Sequence, residues 1–221
     1  MRGTHSNGSL LTAELGNYNN WLCSEKTDIA ILELPHIENH KYNYFTPAQF
    51  ADKAYLSRKD IGTGDEVFFV GLLSPYPGSK KLEPIVRFGS ISIMPGEHIA
   101  IKNADNSTTN AEAFLVEVLS AGGISGSPAF VWLNPTRRPG FINLPPIQID
   151  EPLPLDVAPR LLGLVSGHFD MKQIFSFSHL YDAEPDNYTA NSGISIVVPA
   201  YDILRELNDR DLVGKRMANC S

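Results

Sequence analysis

Residues 121–128, Ala121-Gly122-Gly123-Ile124-Ser125-Gly126-Ser127-Pro128, set a serine among glycines after an alternating apolar stretch and end with a proline. An acyl-transfer serine needs a backbone that folds tightly behind its Oγ and can direct N–H groups at a developing oxyanion, and glycines before and after the serine permit such a fold. Ser125 is therefore the candidate nucleophile, with acyl transfer as the chemistry. Cys23 and Cys220 stand near opposite ends of the chain, with no C-x-x-C or Cys/His spacing for zinc. Two free thiols are expected, with no metal and no cofactor. His36, His40, His98 and His179 have no motif context.

The elements that must carry Ser125 are mostly strands. Short apolar or alternating segments bounded by Gly, Pro, Asn or Asp predict strands at 10–15, 29–34, 66–71, 85–94, 97–102, 113–118, 127–133, 161–166 and 194–198. Ser6-Asn7-Gly8-Ser9 reads as a hairpin turn, which makes His5 a strand-end residue. Two segments read as helical. Thr46 caps a short turn with Pro47 at its first position, and residues 199–208 place Ile203, Leu204 and Leu207 on one face. An α/β-hydrolase elbow would run from strand to helix through G-x-S-x-G, whereas Pro128 and the apolar run Ala129-Phe130-Val131-Trp132-Leu133 continue as a strand. Two stretches depart from a bare barrel. Residues 135–159 are proline-rich and must leave the sheet as a surface excursion. Residues 170–191 form the second insertion, carrying Phe175, Phe177, His179 and Tyr181.

The G-x-S-G-x-P pattern resembles the nucleophile motif of the trypsin-like, chymotrypsin-fold serine peptidases, and further segments fall in that family's order. Thr27-Asp28-Ile29-Ala30-Ile31-Leu32 resembles the strand that opens with the triad aspartate, which makes Asp28 the implied orienter of the base. Residues 64–71 and 86–93 resemble the strand that follows and the strand opening the second barrel. Leu162-Gly163-Leu164-Val165-Ser166-Gly167 is similar to the strand lining the substrate cleft, and residues 192–199 to the last barrel strand. The resemblance covers roughly residues 5 to 207. It implies an all-β, chymotrypsin-like double β-barrel with an incomplete first barrel and a carboxy-terminal helix. Residues 1–84 would be the remainder of the first barrel and the connection, and 85–221 the second barrel. It further implies an oxyanion hole from the N–H groups of Gly123 and Ser125, and a substrate site bordered by Leu119, Ser166 and Gly167. Leu119, six residues before the serine, points to an uncharged apolar side chain in the pocket. Ile124 stands where many secreted relatives carry an aspartate that pairs with a freed amino terminus, so zymogen activation of that kind is not implied.

One landmark of the family is missing. Its general base is a histidine that precedes the aspartate at the end of an apolar strand, and only His5 precedes Asp28. Residues 1–4 supply no such strand, so the expectation is a chain that begins inside the first barrel. His168 follows the serine and does not match the family's base. The resemblance thus implies a serine endopeptidase domain acting through an acyl-enzyme on Ser125, impaired or inactive as written for want of the base. The alternative is a non-catalytic peptidase-fold domain used for binding or assembly. A cysteine-type relative is excluded at the nucleophile by Ser125 itself.

Composition bounds the partners. Hydrophobic and charged residues make up 43% and 19% of the 221 residues, ordinary values for a globular chain. The net charge of −7, with no basic run longer than Lys80-Lys81 or Arg137-Arg138, argues against nucleic acid. No stretch reaches the roughly 18 apolar residues of a membrane span. The start lacks the apolar core of a signal peptide, which favours a cytoplasmic setting. The resemblance to the peptidases implies a peptide or protein substrate as the partner.

Overall fold

A computed structural model describes residues 2–4, 10–12, 21–34, 44–72, 83–102, 108–118, 124–133, 158–174 and 187–219. The chain is mostly β. Six strands close an antiparallel barrel: β5 (Glu66–Leu72), β6 (Pro84–Ile93), β9 (Phe114–Glu117), β10 (Pro128–Val131), β11 (Arg160–Ile174) and β12 (Asn187–Pro199), in the order β10-β11-β12-β9-β6-β5. β5, β6 and β9 are neighbours in turn, and β10 returns to lie beside β5, which is a Greek-key path. Three two-stranded pairs accompany the barrel. β1 (Arg2–Thr4) pairs with β2 (Leu10–Thr12), β3 (Leu22–Cys23) with β4 (Ala30–Ile31), and β7 (His98–Lys102) with β8 (Thr108–Glu112).

The apolar runs of the sequence are explained by two cores on opposite sides of the same strands. Val67 and Phe69 of β5, Ile91 of β6, Phe114 and Val116 of β9, Ala129 and Val131 of β10, and Leu162 and Val165 of β11 fill the barrel. Their sequence neighbours Phe130, Leu161 and Val198 point outward, where Ile29, Phe50, Ala200 and Ile203 cover them. A strand buried on both faces loses the polar half of its alternation, so Ala129-Phe130-Val131 is apolar throughout. A third, smaller cluster joins Ala111, Ala113 and Ile196.

Short helical segments cover both cores, with Phe50 and Ile203 on the outer one and Tyr55 and Leu56 on the barrel core. The 3-10 turn Pro47–Gln49 begins at Thr46, whose N–H donates to Gln49 Oε1 at 2.8 Å. Phe50 then bridges to Leu161, and the N–H of Ala51 donates to the Leu161 carbonyl at 2.9 Å, tying this segment to β11. α1 (Lys53–Arg58) buries Tyr55 and Leu56. The guanidinium of buried Arg160 lies 4.7 Å from the centre of the Tyr55 ring, a cation–π contact at the start of β11. α2 (Ala200–Leu207) lays Ile203, Leu204 and Leu207 on the outer core, the face expected for it. α3 (Arg210–Asn219) follows.

The expected strands are present, with different extents. β11 and β12 continue past the barrel to Ile174 and Asn187, into the stretch read as an insertion. Pairs such as Asp170 with Asn191 and Lys172 with Thr189 extend the ladder there through polar residues, because backbone hydrogen bonding needs no apolar face. α1 and α3 are additional helices. Phe175, Phe177, His179 and Tyr181 lie outside the described residues, as do residues 135–157 of the proline-rich stretch.

Candidate active site

Ser125 sits at the tip of a four-residue turn. The N–H of Ser127 donates to the carbonyl of Ile124 at 3.0 Å, closing the turn, and Gly126 takes φ +82° at its third position. That conformation is open to glycine at little steric cost, which is the local reason for a glycine after the serine. Ile124 is buried in the barrel core beneath the turn, while Ser125 is exposed. The loop thus has one side chain anchored inside and the nucleophile candidate pointing outward.

Two hydrogen bonds fasten this loop to β11. The N–H of Gly126 donates to the Val165 carbonyl at 2.7 Å, and the N–H of Val165 donates to the Ser127 carbonyl at 2.9 Å. The next residue along β11 is Ser166. Val165 faces Val197 and Gly167 faces Ile196, so Ser166 is the extra residue of a β-bulge, a device that re-aims a side chain. Its hydroxyl donates to Asp28 Oδ2 at 2.6 Å, across 138 residues of chain. A hydroxyl on a carboxylate at that length is a strong, charge-assisted bond.

Asp28 is presented by a tight turn that its own neighbours build. The Ser24 hydroxyl accepts from the N–H of Lys26 and Thr27 at 3.1 and 3.2 Å and from the Thr27 hydroxyl at 3.1 Å. The N–H of Ser24 donates to the Ile29 carbonyl at 2.8 Å. Thr27 and Ile29, on either side of Asp28, are buried, and the carboxylate between them is exposed. Val165 and Ser166 therefore hold both the serine turn and the aspartate turn, through adjacent positions of one strand.

The sequence-derived residues are distributed as follows. The turn of Ser125 is bonded to Val165 and Asp28 to Ser166, the next residue of β11, and Gly167 lies half-buried just beyond. Gly123, Leu119 and His5 lie outside the described residues, as do His36, His40 and His179. The described histidines are His98 on β7 and His168 on β11, both exposed. Ser166, read from sequence as bordering the substrate, gives its hydroxyl to Asp28 as well, a contact that no local pattern announces. Among the described residues no group of three His, Cys, Asp or Glu side chains could hold a metal ion. Described Cys23 is a free, exposed thiol. A cleft of about 490 Å³ opens between the β3–β4 pair, α2 and α3, and its lining includes neither Asp28 nor Ser125.

The chain is a mostly β protein built on a closed six-stranded antiparallel barrel with a few short helices. No protein-family model, no curated protein and no solved structure matches it.

Proposed function

We propose that this chain is a trypsin-like serine peptidase domain, with Ser125 as nucleophile and Asp28 as the carboxylate that orients the base. The observation that carries the reading is the single strand segment Val165–Ser166, bonded on one side to the turn of Ser125 and on the other to Asp28. Two motif residues far apart in sequence have no structural need to be joined at adjacent strand positions. In this reading the closed Greek-key barrel is the second barrel of a chymotrypsin-like pair, which moves its start from residue 85 back to β5 at Glu66, and β1 to β4 belong to the first.

The chemistry follows from the roles. A histidine takes the Ser125 proton as Oγ attacks the peptide carbonyl, and Asp28 holds the imidazole in the required tautomer and supports its charge. The N–H groups of Gly123 and Ser125 receive the oxyanion, each worth roughly 3 kcal/mol of barrier. The amine leaves with the histidine's proton, and water then hydrolyses the acyl-enzyme on Ser125. Ser166 restrains Asp28, and Leu119 favours an uncharged apolar side chain in the pocket. A base is essential to this scheme, and within the chain His5 is the one histidine preceding Asp28.

A second reading, a peptidase-fold domain that binds without cleaving, is favoured by one observation: neither described histidine, His98 nor His168, precedes Asp28. Labelling of the chain by a fluorophosphonate separates the two, with Ser125→Ala, Asp28→Asn and His5→Ala run beside it and folding checked by circular dichroism. Labelling lost in Ser125→Ala and His5→Ala identifies a serine enzyme with His5 as base. A folded chain that takes up no label has an unactivated Ser125, which removes catalysis by this chain from the reading and leaves the peptidase fold without its base.

A further inference from the structure

The outside of the barrel carries an aromatic row whose cover stops halfway. Phe130, Phe68 and Phe88 stand opposite one another on β10, β5 and β6. Their rings touch in sequence, at 5.1 Å between Phe68 and Phe130 and 5.8 Å between Phe68 and Phe88. At the Phe130 end the row is roofed by the outer core, with Phe45 at 5.4 Å. At the other end nothing in the described chain covers it: Phe88 is 68% exposed, Val86 51% and Trp132 43%. Beside Phe88 is a pocket of about 180 Å³ bounded by Phe68, Phe88, Gly89, Trp132 and Glu66. A cavity of roughly 150 Å³ accepts a benzene ring, so this pocket has room for one phenyl group.

We propose that this face is the two-fold interface of a homodimer, in which Phe88 of each copy enters the pocket of the other. A projecting ring and a ring-sized hollow lie side by side on one surface, and a two-fold axis between them fills both hollows at once, which is the self-complementarity an isologous contact requires. Area supports the same occupant. With roughly 150–250 Å² per aromatic side chain, the exposed parts of Phe88, Trp132 and Val86 put on the order of 300 Å² of apolar surface on each copy, and apolar area is only about 60% of an ordinary interface. Two copies and an ordinary polar rim reach the roughly 1,000 Å² that a specific interface needs. Gly89, next to Phe88, has no room for a side chain, because a Cβ there would strike the Glu117 carbonyl; this holds β6 close to β9 and keeps the Phe88 position defined. The inference stands on this face alone and is independent of the peptidase reading.

The test is the mass of the full chain by sedimentation velocity across a dilution series, with Phe88→Arg in parallel. A dimer is expected, and Phe88→Arg, which alters an exposed ring, should fold by circular dichroism and lose about tenfold or more in dimer affinity. In a Trp21→Phe background, acrylamide quenching of Trp132 should rise as the wild-type dimer is diluted and stay level in the monomeric variant. A chain that is monomeric at every concentration overturns the proposal, whether or not another protein covers the face. So does a dimer indifferent to Phe88→Arg, or an open-ended assembly. If Phe88→Arg misfolds, the Trp132 quenching series on the otherwise native chain decides the matter alone.

Discussion

Gly71 of β5 lies directly against Ser127: a Cβ built on Gly71 would collide with the Ser127 hydroxyl and stand 3.2 Å from its Cβ. Ile124 Cγ2 lies 3.8 Å from the same point. The buried end of the nucleophile turn is therefore seated against a bare stretch of β5. Gly71→Ala is expected to push the turn outward, with an overpacking cost of about 1–3 kcal/mol and slower labelling of Ser125. Removing the opposing side chain should relieve the clash, so Gly71→Ala with Ser127→Gly regains much of both. Chemical denaturation and labelling rates on the two variants measure this, and a double variant no better than the single one would refute the seat.

Ser166→Ala removes the hydroxyl from Asp28 and leaves the backbone of the bulge intact. The pair is exposed, so the stability change should be under about 1 kcal/mol. The effect belongs to Asp28: if its carboxylate orients a base, labelling of Ser125 slows in Ser166→Ala and is largely kept in Ser166→Thr. Equal labelling of all three proteins would deny Ser166 a positioning role.

The Tyr201 hydroxyl of α2 donates to Glu112 Oε2 at 3.3 Å, with Lys53 Nζ 3.6 Å from the same carboxylate oxygen. Burial, and then the charge of Glu112, raise the phenol's pKa well above its ordinary value. Below about pH 10 both folded and unfolded chains keep that proton, so the contribution is constant; above it the unfolded chain releases the proton first and stability declines with rising pH. Urea midpoints on either side of about pH 10 should therefore fall more steeply for the native chain than for Tyr201→Phe. Parallel declines would show that Tyr201 does not set the alkaline limb.

Asp52 accepts the N–H of Tyr55 at 2.7 Å through Oδ1, capping α1. Asp52→Ala should cost about 1 kcal/mol in thermal or urea unfolding, and Asp52→Asn should keep most of it. A neutral Asp52→Ala would mean that the packing of Tyr55 and Leu56 alone forms the helix.

The barrel was legible because its strands carry strong local signals. Segments such as 66–71 and 85–94 are bounded by turn residues, and the both-sided apolar run 129–131 follows the Gly-Ser turn directly. α1 was not legible: six residues give less than two full turns of periodicity, and Asp52 is its one local mark. α3 carries no strong apolar stripe, its described start being Arg210-Asp211-Leu212-Val213-Gly214. The outward ribbon of β11 and β12 was missed because its ladder runs through polar residues. Of the site, the Ser125 turn is encoded in eight consecutive residues. The Ser166–Asp28 bond depends on contacts that only the folded chain creates.

Strands with apolar side chains on both faces have a weakness that the alternation of an ordinary sheet does not share. Sliding β11 along β12 by one residue would exchange one apolar set for another, so hydrophobicity barely penalises the mistake. Sterics do so instead, for a Cβ at Gly163 would run into the carbonyl of Val198. Leu162 or Leu164 moved into that slot would meet the same obstruction. Gly163 thus acts as a key that fits at one setting, and the bulge that turns Ser166 toward Asp28 falls in place because that setting is enforced three residues earlier.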